Sequence, residues 1–106
     1  MYHIGPRAKG AAPALVAALK DKSDGLRRMA MMALIYFRDD ESSVPALIEA
    51  LTDKYEDVRE YAAEALQARG KKAKAAIPAL TKALKDPKKA VRKAAAMAIE
   101  EIQRMD

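Results

Sequence analysis

One short segment recurs three times in this chain and limits the folds open to it. The copies are PALVAALKD at 13–21, PALIEALTD at 45–53 and PALTKALKD at 78–86. Pro13, Pro45 and Pro78 stand 32 and 33 residues apart, as do Asp21, Asp53 and Asp86, and Arg27, Arg59 and Arg92. A period in this range marks a stack of supersecondary units, none of which can bury its apolar face alone. Three units is about the least that makes such a stack stable.

Each unit reads as a helix pair. In the middle copy Val58, Ala62, Ala65, Leu66 and Arg69 recur at helical spacing, which predicts an amphipathic helix over 53–70. The first helices are expected at about 6–20, 42–52 and 71–85, and the second helices at about 23–37, 55–69 and 87–105. Pro78 falls inside its predicted helix and should kink it. Pro45 lies nearer a start, with Ser42 as the expected N-cap. Asp21, Asp53 and Asp86 stand at the turns as caps for the second helices, and Gly70 is a stop. Alanine supplies 24 residues, and aromatic residues make up only 5% of the chain. Small side chains with few rings suit closely packed helices rather than a sheet. Cysteine is absent, so stability must come from packing alone.

The pattern P-A-L-x-x-A-L-x-D, followed by [VL]-R-x-x-A-x-x-A-[LI], resembles HEAT-like repeats, specifically the short type of the phycobilisome-lyase-like proteins. The resemblance runs from Ile4 to about Gln103. It implies an all-α solenoid of three helix-turn-helix repeats, six helices in all, in a right-handed stack. It also implies a structural ladder in which Asp21, Asp53 and Asp86 and Arg27, Arg59 and Arg92 link neighbouring repeats. It carries over no lyase activity, because such repeats serve mostly as scaffolds.

On this reading the chain is a single domain over 1–106, with repeats at about 5–37, 38–69 and 70–104. Residues 1–4 correspond to the remnant of a preceding second helix, since 4–9 match the linker at 69–74. One residue is missing between Phe37 and Pro45, where Arg38, Asp39, Asp40 and Glu41 replace the glycine stop. The abrupt start, the near-consensus third repeat and the reworked first repeat point to an engineered or designed chain.

Aligning the copies predicts which residues are inside. Core columns are Leu26/Val58/Val91, Ala30/Ala62/Ala95, Ala33/Ala65/Ala98 and Leu34/Leu66/Ile99, with Met31 and Phe37 as further core. The outward columns are Gly25, Met29, Met32 and Tyr36 in the first copy, Asp57, Tyr61, Glu64 and Ala68 in the second, and Ala90, Ala94, Met97 and Glu101 in the third. Positions that only face water should be polar. Here Met29, Met32, Tyr36, Tyr61, Ala90, Ala94 and Met97 form an apolar strip, flanked by Ile35. Tyrosine and methionine are favoured at contact surfaces. The expected protein interface is therefore Met29, Met32, Ile35, Tyr36, Tyr61, Glu64, Ala94 and Met97, on the concave face that the resemblance assigns to second helices. The partner is a protein, with a second copy of the chain as one candidate. In a two-fold pair, Arg28 and Lys93 would oppose Glu60 and Glu64.

Catalysis is not expected. His3 is the single histidine, and no Gly-rich phosphate loop, paired catalytic carboxylates or cofactor signature is present. No cofactor is expected, and Asp39, Asp40 and Glu41 lack the alternating ligand spacing of a calcium loop. Nucleic acid is the alternative partner. Lys82, Lys85, Lys88, Lys89, Arg92 and Lys93 form a basic cluster in a segment, 71–106, with ten Lys/Arg against four Asp/Glu. The middle segment, 38–70, has four against nine and interrupts any basic stripe. No apolar run approaches 18 residues, so a membrane is not expected and a cytoplasmic chain is.

Overall fold

The computed structural model describes residues 11–37 and 40–104. Among them there are six α-helices and no strand: α1 (Ala11–Ala18), α2 (Asp24–Leu34), α3 (Val44–Ala50), α4 (Glu56–Arg69), α5 (Ile77–Ala83) and α6 (Lys89–Arg104), with a 3-10 segment at Gly70–Ala76. The all-α repeat architecture is as the sequence predicts. The proposed remnant at 1–4, His3 and the Arg38-Asp39 pair lie outside the described residues.

The pairs α1/α2, α3/α4 and α5/α6 pack within repeats, and α4 packs against both α2 and α6. The first helices make little direct contact with one another, and α3 meets the third repeat chiefly through the 3-10 segment. Second helices that approach more closely than first helices lie on the inside of the curve.

Helices α3 and α5 are shorter than the periodicity predicts, and proline is the reason. Pro78 does not kink a long helix. It sits in the first turn of α5, where its missing N–H removes no intrahelical bond. The residues before it form the 3-10 segment, with Ala73 off helical geometry at φ −100°, ψ 21°. Pro45 likewise opens α3. The N-cap there is Ser43 rather than Ser42, and Ser43 is fully buried. Gly70 ends α4 at φ 58°, ψ −138°, a conformation that a side chain disfavours.

The turn aspartates are not the N-caps of the second helices but stand two residues before them, the caps being Ser23 and Tyr55 in the first two repeats. Their Oδ1 atoms accept the N–H groups of Ser23, Tyr55 and Lys88 at 2.9, 3.0 and 2.9 Å. The other carboxylate oxygen is then free for the ladder. Arg27 Nε donates to Asp53 Oδ2 and Arg59 Nε to Asp86 Oδ2, both at 2.7 Å. Each arginine also donates Nη1 to the backbone carbonyl of its own repeat's aspartate: Asp21 for Arg27, Asp53 for Arg59 and Asp86 for Arg92. One side chain thus closes a turn and joins two repeats, and the pairing implied by the resemblance is present in both internal junctions.

The core follows the aligned columns with three exceptions. Leu26 is 42% exposed where Val58 and Val91 are buried, and Ala33 and Ile99 are half-buried. Met31 and Phe37 are buried as predicted, and Ile102 and Ala63, absent from the predicted columns, are fully buried.

Candidate protein interface

Met32 and Tyr36 lie four residues apart on one side of α2 and the turn that follows it. They are 50% and 67% exposed. The turn is built by Tyr36 and Phe37 donating their N–H groups to the carbonyls of Ala33 and Leu34. Phe37 points inward and anchors the turn, which leaves Tyr36 in solvent. Met29, one turn earlier, is also exposed, and Met97 is exposed on α6.

The middle of the predicted strip is different. Tyr61 and Ile35 are half-buried and pack against the core. Ala94 is a correction: it is only 7% exposed, on a helix that packs against α4, α5 and the 3-10 segment. The strip is therefore not continuous. It is an apolar pair on α2, extended by Met29, and a separate Met97. Between them lies a depression of about 270 Å³ lined by Ile35, Glu64, Gln67, Ala68 and Glu101, which brings all three second helices together.

Glu64 carries the electrostatics of this depression. Partial burial pushes its carboxyl above the usual range, and the neighbouring Glu60 carboxylate adds to the effect by its charge and by a hydrogen bond. Arg28, which the two-fold arrangement would set against an acidic partner, is already engaged. It donates Nε to Asp57 and Nη1 to Asp24 and lies over the Tyr55 ring at 4.9 Å.

Sequence reasoning missed Arg69. Its side chain is nine-tenths buried or more, and its hydrogen bonds among the described residues go to uncharged groups. Nε donates to the Asp40 carbonyl and to Ser43 Oγ, Nη1 to the Ala65 carbonyl, and Nη2 to the Leu34 carbonyl. Burial lowers its pKa, against the opposing charge of Asp40. The guanidinium closes the end of α2 and holds the 40–43 loop against α4. It therefore fixes the turn that displays Tyr36. The sequence signals were its place at helical spacing with Val58, Ala62, Ala65 and Leu66, and a cation in the column of Phe37 and Ile102.

The basic cluster of the third repeat is partly committed. Lys88 pairs with Glu56 at 3.1 Å and Arg92 donates to the Asp86 carbonyl, while Lys82, Lys85, Lys89 and Lys93 are exposed. A larger cavity of about 780 Å³ lies between α3 and α5, over Ile48, Leu51, Pro78 and Ala79, and reaches the ladder residues Asp53, Arg59 and Asp86. Among the described residues no helix is long and apolar enough to cross a membrane.

Residues 44–105 match the family model described as HEAT repeats, more than half of the chain. The chain belongs to the HEAT repeat family. Residues 26–53 also match the PBS lyase HEAT-like repeat. No curated protein matches the chain. Its fold is similar to that in a crystal structure of an engineered protein from a structural-genomics consortium, with a TM-score of 0.75 and 24% identity. The match covers 90% of this chain and 46% of the other, so this HEAT array spans less than half the length of that protein. HEAT repeats generally act as scaffolds for protein interaction.

Proposed function

We propose that this HEAT array is a non-enzymatic scaffold that binds a protein through the exposed side of α2, α4 and α6. The observation that carries the reading is the pair Met32 and Tyr36, half and two-thirds exposed on one stripe of α2. Met97, in the column of Met32, is exposed as well, at the other end of the array. A partner that covers them removes apolar surface from water. Methionine adapts its shape to that partner, and tyrosine offers rigid area with a polar tip.

The depression beside this pair sets the partner's chemistry. Glu64 and Glu101 face it, so a partner that places an apolar side chain on Met32 and a cation over Glu64 is favoured. A second copy of the chain, crossing on a two-fold axis, is one such partner. An engineered origin is supported by the near-consensus third repeat, by the reworked first one and by the similarity in fold to an engineered protein.

Light scattering of the purified chain tests the self-pairing form. A two-copy species that becomes single on Met32→Glu with Tyr61→Glu supports it, and a mass unchanged by both substitutions overturns it. For a heterologous partner, Tyr36→Glu should abolish binding while the far-UV spectrum stays the same.

A further inference from the structure

Comparing equivalent residues across the three repeats separates two opposed faces. One set of positions is buried by the repeat before. Leu26, Val58 and Val91 are 42%, 1% and 0% exposed in chain order, and Ala33 is half-buried where Ala65 and Ala98 are closed off. A second set is buried by the repeat after. Met31 and Ala63 are fully buried while Ala96 is exposed, and Leu19 and Leu51 are buried while Leu84 is 37% exposed. Ile99 is half-buried where Leu34 and Leu66 are fully buried.

The ladder has the same polarity. Arg27 and Arg59 each reach forward to the aspartate of the next repeat. At one end this leaves Asp21, whose Oδ1 accepts the Ser23 N–H and which has no arginine partner among the described residues. At the other end Arg92 donates Nη1 to the Asp86 carbonyl, as its counterparts do to theirs. No carboxylate among the described residues receives its remaining N–H groups.

We propose that these two ends are the halves of one interface, and that a second copy of this chain stacks on the first head to tail. Leu84, Ala96 and Ile99 of one copy would cover Leu26 and Ala33 of the next, and Arg92 would donate to Asp21 of that copy. The occupant follows from continuity with an established interface. The exposed residues belong to the same columns that pack at the two junctions inside the chain, and the arginine-to-aspartate direction is the same. Such an interface is heterologous. The rotation that relates one repeat to the next does not bring the surfaces back together, so association has no built-in stop. Each copy added extends the solenoid by nearest-neighbour contacts of the kind already present.

Sedimentation equilibrium on the whole chain, from micromolar to millimolar concentration, tests this with two end variants. Leu26→Glu disables the leading face and Ala96→Glu the trailing one. The wild-type mass should climb past two copies without a plateau, and each variant alone should stay single. An equimolar mixture of the two should form a one-to-one pair and stop there, because each retains one working face. If Ala96→Glu loses helix by far-UV dichroism, Leu84→Lys takes its place. A wild-type mass of one copy throughout, a plateau at two copies unaffected by either variant, or a mixture that stays single would each overturn the proposal. The concave pairing fails separately, since its variants, Met32→Glu and Tyr61→Glu, leave both ends intact.

Discussion

Arg69 shows how much one side chain can hold. Its guanidinium bonds the carbonyls of Leu34, Asp40 and Ala65, and it is a second donor to the first two, which also accept the Phe37 N–H and the Ser43 hydroxyl. Replacing it by the apolar residue its column suggests, Arg69→Leu, removes four hydrogen bonds, three to these carbonyls and one to Ser43 Oγ. Each lost bond is worth about 0.5–1.5 kcal/mol net, so a total loss of about 3 kcal/mol is expected in urea unfolding. Glu64 should behave in the opposite way. Its carboxyl is raised in the folded state, so its contribution is favourable below the ordinary glutamate value and is lost as pH rises through the folded one. Glu64→Gln should therefore raise the melting temperature at neutral pH and have no such effect below about pH 4. The inward-facing residues were legible in the sequence, because helical spacing needs only neighbours on the same helix. Arg69 was not, because its partners lie up to 35 residues away and are backbone atoms that no side-chain pattern reports.

At the scale of the element, the helix starts are the instructive feature. A repeating PALxxALxD reads as the middle of a long helix, but proline places itself in the first turn and hands the preceding residues to a 3-10 segment. Pro78→Ala should thus change stability by less than about 1 kcal/mol in thermal unfolding, since no interior kink is released. The ladder is a stronger constraint. Burial pushes the Asp86 carboxyl up, yet the Arg59 hydrogen bond, the Lys88 N–H and the charges of Arg59 and Arg92 outweigh it and hold it below the usual value. Its contribution is present above the unfolded value, about 3.9, and is lost as pH falls through the lower folded value. Asp86→Asn should cost about 2 kcal/mol at neutral pH, as expected for charge-assisted bonds, and the gap to wild type should close in acid. Urea titrations at the two pH values measure both. The ladder itself was legible through the family resemblance. Its second use, closing each turn through Nη1, was not, because that contact needs the turn geometry.

Across the whole molecule, position in the array decides what an aligned column is worth. Val58 and Leu26 occupy the same column, yet one is sealed and the other is 42% exposed. Val58→Ala should cost about 2 kcal/mol, and Leu26→Ala less than about 1 kcal/mol. Amide exchange should likewise be slowest in α4, the one second helix covered on both sides. The periodicity could identify the columns but could not rank them, because repeats that look equal in sequence differ in their number of neighbours.

The Arg69 clamp also bears on recombination. Solenoids invite the shuffling of repeats as interchangeable parts, cut at the sequence period. Here a cut at the short loop before α3 would part a guanidinium from the carbonyls it serves on both sides of the boundary. The portable piece is the stretch from the end of α2 through α4, together with its one-residue-shorter linker. A library that spliced at Gly70 would preserve that piece, whereas one that spliced at 38–43 would scatter it.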